Sequence, residues 1–231
     1  SWSPSDRYFV YVAEDAEGEA PAAARFKLAE CFGEKLQNFT KLVLVVVDVD
    51  GGRVRKLALN FAPVAGVASV QPCQPVFLSD DCVVFTGIHV GSQLLGMTYI
   101  FVRDAAIYMT GIDGAGPCTP ISPSRVSCRS PITSQDGRAV VYLQNPIGRS
   151  HFQCSALVHY DTVEQRTTEL VPIVQVPGPK SAFPGLFLTR LPGQYFDDRL
   201  FLASAIFSEK VSAGWGGCGC EFFVFVGAVC G

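Results

Sequence analysis

Charged residues are scarce in this chain, and neither sign of charge is concentrated in one segment. The 231 residues include 18 Lys and Arg and 21 Asp and Glu, which gives a formal net charge of −3. Proteins that bind nucleic acid usually carry a basic patch or stripe. None occurs here, so we predict that nucleic acid is not a partner. No apolar run reaches the ~18–20 residues that a transmembrane helix needs, so we predict no membrane association.

Motifs of the common enzyme mechanisms are also missing. The chain has no Gly-x-Ser-x-Gly nucleophile elbow, no Gly-x-Gly-x-x-Gly after a predicted strand, and no His-Glu-x-x-His. We interpret His159, one of three histidines, as a strand or rim residue. His89 and His151 are predicted to lie in loops, with no nucleophile signal nearby. We therefore predict no catalytic residue and no cofactor-binding residue in this chain.

Paired carboxylates occur at Asp80 and Asp81, and again at Asp197 and Asp198. Such pairs can perform acid–base catalysis. Both pairs, however, fall at the same point of a repeated hairpin, and Asp is one of the residues that tight turns favour. We therefore interpret them as turn residues.

The nine cysteines are an odd number, and most of them lie within predicted strands. In a chain of this length we interpret them as buried, reduced thiols of a cytoplasmic protein, in preference to a disulfide framework. Cys218 and Cys220 have no second cysteine pair and no histidine nearby, so we predict no metal site.

The sequence does contain a repeated phrase of two hairpins. In its clearest copy, β-prone segments at 129–134 and 138–144 flank an Asp-Gly turn. Two further β-prone segments, at 155–161 and 166–171, flank a polar turn. Asp and Gly tolerate the backbone angles of tight hairpins, so the phrase predicts one four-stranded antiparallel sheet.

An earlier copy of the phrase covers residues 73–86 and 104–121. Its first turn contains Asp81, and the corresponding turn of the later copy contains Asp136, 55 residues further on. A period of about 50 residues is typical of propeller blades with loop insertions.

Partial copies flank the two complete ones, at 1–57 and at 187–204. We therefore predict an all-β fold: a partial β-propeller of four-stranded antiparallel blades, with two whole blades plus parts of two more. Its domain is predicted to span 1–208, with an exposed insertion at about 14–40 that contains one short helical turn at 26–32. A closed propeller needs about 4–8 blades, and the chain does not begin with Met, so we interpret it as a piece of a longer protein.

The second whole blade resembles a propeller blade of the acylaminoacyl-peptidases, which are also called acylpeptide hydrolases or acylamino-acid-releasing enzymes. The resemblance runs from about residue 1 to 208. Its most specific part is a set of residues that occur in a fixed order along the blade. The residues that carry it are Val140 to Gln144, Pro146, His151, Gln153 to Ser155, Leu157, Tyr160 and Asp161.

The resemblance implies a cytoplasmic serine peptidase of the prolyl oligopeptidase group, which releases N-acylated amino acids from short peptides. It implies a seven-bladed propeller that covers a C-terminal α/β-hydrolase domain, screens out large substrates and belongs to a homo-oligomer. The catalytic Ser, Asp and His of that family lie in the hydrolase domain. No position of this chain matches them, so none is carried over.

Residues 209–231 depart from the repeat, because they are rich in Gly, Cys and Phe. Lys210, Val211 and Ser212 are what a splice donor beginning GTGAGT would encode in frame. We interpret this tail as read-through intron sequence. The alternative is an apolar strand of the fourth blade.

Three functions remain open at this point. The chain is the substrate-gating propeller portion of such a peptidase, or a stand-alone propeller that binds proteins or peptides, or a truncated gene product without a function of its own. An in-frame Gly-x-Ser-x-Gly domain downstream in the gene would favour the first of these.

Overall fold

The computed structural model describes residues 1–15, 31–33, 36, 41–96, 100, 102–176, 185–191, 195–196, 199–208 and 219–228. Within these ranges the regular structure consists of β-strands, and no helix occurs in them. The all-β prediction is therefore confirmed. Most of the predicted insertion at 14–40, including most of the helical turn at 26–32, lies outside the described residues.

The first sheet has three antiparallel strands. These are β1 (Tyr8–Glu14), β2 (Leu42–Asp48) and β3 (Arg53–Lys56), in the same order in space as in sequence. Residues 1–3 run along the other side of β1, where Ser1 and Val10 exchange two backbone hydrogen bonds of 2.8 Å. Residues 1–3 thus occupy the position of a first strand in this blade.

The second sheet has four antiparallel strands, as the repeat predicts. These are β5 (Ser69–Ser79), β6 (Cys82–Val90), β7 (Ala105–Gly111) and β8 (Pro117–Pro120), and a two-residue strand, β4 (Asn60–Phe61), pairs with β8 in parallel. Ser79 pairs with Cys82, so Asp80 and Asp81 alone form the turn between β5 and β6.

The third sheet repeats this arrangement. Its strands are β9 (Val126–Ser134), β10 (Ala139–Pro146), β11 (Ala156–Asp161) and β12 (Arg166–Val171), and a single parallel pair, Ala105 with Ser127, joins β9 to β7 of the second sheet. A glycine is required in the turn before β10, because Gly137 has φ of +70° and a Cβ there would lie 2.8 Å from the carbonyl oxygen of Leu78 in the second sheet.

The last described strands are β13 (Tyr195–Phe196), which is parallel to β9, and the antiparallel pair β14 (Arg199–Ser208) and β15 (Gly219–Ala228). Residues 219–228 of the tail thus form a strand, whereas the origin of the tail as intron sequence stays a prediction. Residues 187–191, at the start of the later partial copy, form no strand: Leu186 makes an isolated bridge to Ser155, and the carbonyls of Leu188 and Thr189 accept hydrogen bonds from the Arg129 side chain.

The sheets pack face to face, and the central strands β6 and β10 contribute alternate residues to the two interfaces beside them. In β6, Val83 and Phe85 face the first sheet while Val84 faces the third. In β10, Val140 and Tyr142 face the second sheet, whereas Val141 and Leu143 face the segment that contains Leu186 and Leu191. A strand buried on both sides reads as a continuous apolar run, which explains the composition of β6 and β10. Serial stacking of sheets in this way is the packing of propeller blades.

Candidate functional site

The hairpin turns and the long connections lie at opposite ends of the strands. We call the first end the turn face, defined by the turns at 49–52, 80–81, 112–116, 135–138 and 162–165. We call the second end the loop face, defined by the connections at 91–104, 121–125, 147–155 and 172–176. Binding residues of many proteins lie on long loops that a rigid scaffold positions.

Turn geometry accounts for the carboxylates of the turn face. Asp136 accepts hydrogen bonds from the Ser134 hydroxyl at 2.6 Å and from the backbone N–H of Arg138 at 3.0 Å. These two donors lower the pKa of the Asp136 carboxyl. Asp161 accepts hydrogen bonds from the backbone N–H groups of Glu164 and Val163, which lower the pKa of its carboxyl in the same way. The acid–base alternative therefore has no support from these groups.

Asp80 has a different partner from the other turn carboxylates. Its Oδ1 accepts a hydrogen bond of 3.1 Å from the backbone N–H of Ser5 in the first sheet. It therefore joins two blades at the turn face. Asp197 and Asp198, the second predicted pair, lie outside the described residues.

His89 lies inside β6, so its predicted position in a loop is wrong. Its side chain is 3% exposed and is held at both nitrogens. Nδ1 is 3.0 Å from Oδ1 of Asp104, and Nε2 is 2.8 Å from the hydroxyl of Tyr108. This cluster is not evident from the sequence, because a long loop separates His89 from Asp104 and Tyr108.

The order carboxylate, imidazole, hydroxyl is that of a catalytic triad, but its surroundings differ from those of one. Tyr108 is only 4% exposed, and its ring packs edge to face on Phe61 with 5.1 Å between centroids. Burial raises the pKa of the Tyr108 hydroxyl, which opposes its ionisation. A substrate carbonyl cannot reach this oxygen, so we interpret the cluster as a link between β6 and β7.

The two other histidines lie as predicted. His159 is in β11, and burial lowers the pKa of its ring. His151 is in the connection between β10 and β11, where its Nδ1 accepts a hydrogen bond of 3.3 Å from the backbone N–H of Val102. A neutral His151 ring must therefore carry its proton on Nε2.

Arg129 is the most deeply buried cation of the described chain, with 4% of its surface exposed. Its guanidinium donates hydrogen bonds to the side-chain oxygens of Asn145 and Ser155 in the same sheet, and to the carbonyls of Leu188 and Thr189 in the next segment. Burial lowers the pKa of Arg129 to about 10, so it stays charged at neutral pH. Arg129 thus fastens the segment at 185–191 to the third sheet.

A second kind of link recurs in the middle of the inner strands β5 and β9. Gln74 and Ser130 both precede a proline, and they have φ of +50° and +55°. The Gln74 Oε1 accepts the backbone N–H of Ser130 at 2.7 Å, and the Ser130 Oγ accepts the N–H of Leu191, also at 2.7 Å. Leu191 likewise precedes a proline. The recurring X-Pro dipeptide was therefore a signal for this link that our sequence analysis did not use.

The six described cysteines, at 31, 73, 82, 118, 128 and 154, are free thiols. Burial raises the pKa of Cys73 and Cys128 to about 12, so neither thiol is a nucleophile at neutral pH. Within the described residues, no group of three or more His, Cys, Asp or Glu side chains could hold a metal ion. Nor do those residues contain a helix that is long and apolar enough to cross a membrane.

Two of the cavities that charged side chains line have the volume that a small ligand needs. The larger, of about 660 Å³, lies between the first and second sheets, and both lysines at its mouth are bound to one carboxylate. Lys41 and Lys56 lie 3.1 and 3.0 Å from Oδ2 of Asp15. The other cavity, of about 400 Å³, opens on the loop face between the connections at 91–104 and 147–155.

Comparison of the sequence with curated proteins finds relatives of one kind, the acylamino-acid-releasing enzymes. The chain is 29% identical over 221 residues to the acylamino-acid-releasing enzyme of Rattus norvegicus, and 29% identical over 224 residues to that of Homo sapiens. Over most of its length the chain resembles acylamino-acid-releasing enzymes. The resemblance inferred from its sequence motifs is thereby confirmed.

The match to the acylamino-acid-releasing enzymes is a match to part of them. It covers 83% of this chain but only 29% of the length of the rat and human enzymes. The chain forms stacked antiparallel sheets, so it resembles a propeller portion of such an enzyme. No family profile matches the chain.

The chain is also similar to solved structures of propeller proteins, at low identity. A TolB protein from Agrobacterium tumefaciens superposes with a TM-score of 0.45 at 14% identity, covering 73% of this chain and 47% of its own. TolB from Acinetobacter baumannii gives a TM-score of 0.45 at 12% identity, covering 99% of this chain and 40% of its own.

Proposed function

We propose that this chain is the substrate-gating propeller of a serine peptidase that releases N-acylated amino acids from short peptides. The observation that carries the proposal is the match of 83% of the chain to acylamino-acid-releasing enzymes. The stacked sheets support a steric role, because a propeller that covers an active site admits only substrates that are small enough to pass. The nucleophile of this mechanism would come from the hydrolase domain that the resemblance implies.

The reaction itself would take place in an α/β-hydrolase domain of the same polypeptide. There a Ser activated by a His would attack the carbonyl of the acylated residue, and an oxyanion hole would stabilise the intermediate. The partners implied are that domain, N-acylated peptide substrates and further copies in a homo-oligomer. We place the protein in the cytoplasm, in keeping with the free thiols of its described cysteines.

The test is an assay of the complete gene product on N-acetylalanine p-nitroanilide. We expect release of nitroaniline, and we expect the rate per molecule to fall as the acylated peptide is lengthened. The matched control replaces the Ser of any Gly-x-Ser-x-Gly motif by Ala. A complete gene product that contains no such motif and releases no nitroaniline would instead favour a stand-alone binding propeller.

A further inference from the structure

The cavity of about 400 Å³ on the loop face combines basic and apolar groups. Arg103, Arg149 and His151 line it together with Leu95, Ile100 and Ile147. These three apolar side chains are 57%, 39% and 37% exposed. Cavities that bind small ligands usually have volumes of about 300–1,000 Å³, apolar walls and a few polar groups that fix orientation.

The two arginines of this cavity have different surroundings. The guanidinium of Arg103 donates hydrogen bonds to the carbonyls of Ile100, Leu95 and Gly96, which fixes its plane at the cavity wall. Arg149 is exposed, and Gln175 Oε1, at 2.8 Å, is the only hydrogen-bond partner of its guanidinium among the described residues. Arg149 therefore has donors available to a ligand.

No carboxylate of the described residues forms an ion pair with Arg149. Asp104 is the acidic residue that lines the cavity, and its Oδ1 is bound to Nδ1 of His89 at 3.0 Å. Glu169 lines the adjoining cavity together with Arg149, but no ion pair joins Arg149 to a carboxylate of the described chain. Lys41 and Lys56, at the larger cavity, differ in this respect because both are bound to Asp15.

We propose that this cavity binds the free α-carboxylate of short peptides whose amino end is blocked by an acyl group. An acylated peptide has no ammonium at its amino end, so its backbone carries a single charge, the α-carboxylate. A guanidinium matches a carboxylate with two parallel hydrogen bonds. The apolar side chains of Leu95, Ile100 and Ile147 would contact the side chains of the peptide.

This inference rests on the proposed function for its substrate class, and it adds a site that binds the carboxyl end of the peptide. The loop face would hold a peptide by its carboxyl end and raise its local concentration. In a long peptide the carboxyl end lies far from the acylated amino end, so binding it would raise the local concentration of the amino end less, and the site would favour short substrates.

The test is ligand-observed NMR on the complete gene product, with N-acetyl-trialanine and its C-terminal amide as probes. We expect the acid to bind about tenfold more tightly than the amide at low salt, which corresponds to about 1.4 kcal/mol. The same spectra show any released N-acetylalanine. Peptide binding without that release would contradict the proposed function and leave this inference standing.

Three variants decide whether Arg149 is the group responsible. Arg149→Gln should reduce the preference for the acid to less than twofold, and Arg149→Lys should retain part of it because the charge remains. Arg166→Gln is the control, since Arg166 lies at the turn face, paired with Glu164 at 3.1 Å. Circular dichroism of each variant checks that it is folded.

Any of three results would overturn the inference. The acid and the amide could bind equally well. Arg166→Gln could lower the preference as much as Arg149→Gln does. Inorganic phosphate, at the same concentration, could displace the peptide as effectively as a second peptide acid, which would make the cavity a general anion site.

Discussion

Arg129 places its guanidinium among oxygen atoms of two adjacent segments, and removing it breaks four hydrogen bonds, two of which are fully buried. We expect Arg129→Met, which fills much of the same volume, to lower the free energy of unfolding by about 2–4 kcal/mol. Urea denaturation followed by circular dichroism measures the change.

Arg138 provides the matched control for this measurement. It is exposed at the turn face, and the contact it makes to Asp136 uses its backbone N–H. Arg138→Met should therefore change the free energy of unfolding by less than about 0.5 kcal/mol. Equal losses in the two variants would show that the buried network contributes nothing specific.

The Asp136 carboxyl makes stability depend on pH in a defined direction. Its pKa is lowered from the ordinary 3.8 by the Ser134 hydroxyl and the Arg138 N–H. A carboxyl whose folded pKa is depressed adds stability above its unfolded pKa, and this is lost as pH falls through the folded pKa. We expect Asp136→Asn to be less stable than wild type at pH 6.

The difference between Asp136→Asn and wild type should shrink as pH falls below about 4 and the wild-type carboxyl becomes protonated. Thermal unfolding of both proteins at pH 6, 4 and 3 measures it. A gap that stays constant over this range would mean that the charge of Asp136 has no part in the turn.

At the scale of the strand, the inner strands β5 and β9 each carry a bulge where a residue with positive φ precedes proline. Gln74 at the first bulge accepts hydrogen bonds from the Ser130 N–H and the Thr86 hydroxyl. We expect Gln74→Ala to lower the free energy of unfolding by about 1–3 kcal/mol, because it leaves both donors without their acceptor.

Comparing Gln74→Gly with Gln74→Ala separates the effect of the lost hydrogen bonds on stability from the effect of the backbone conformation. Glycine ordinarily destabilises a strand relative to alanine, but at φ of +50° it adopts the required backbone without strain. We expect Gln74→Gly to be more stable than Gln74→Ala. The opposite order, measured by urea denaturation, would contradict a strained bulge at this position.

At the scale of the whole molecule, the sheets stack in series, and the first sheet has an open edge. Of the described residues, only 1–3 pair with the inner side of β1, whereas the inner strands β5 and β9 have 11 and 9 residues. Unpaired strand edges promote association between molecules. We expect residues 1–231, expressed alone, to self-associate in size-exclusion chromatography with light scattering.

A longer natural product that supplies a strand to this edge should be more soluble than residues 1–231. A monodisperse monomer of residues 1–231 that melts cooperatively would count against the open edge. It would favour a chain that is stable by itself.

The sequence alone determined the strands and their grouping into blades. Alternation and Asp-Gly turns are local properties, so β12 was predicted at its observed bounds and β11 to within one residue. The resemblance to acylamino-acid-releasing enzymes was likewise readable from ordered residues such as His151 and Ser155.

Only the tertiary structure decided which side chains meet between blades. The contacts of Arg129 with Thr189 and of Gln74 with Ser130 join residues that are 60 and 56 positions apart. The cavity that contains Arg103 and Arg149 likewise arises where the connections of two successive blades come together. A local pattern carries no information on such pairs, because they depend on how one sheet stacks on the next.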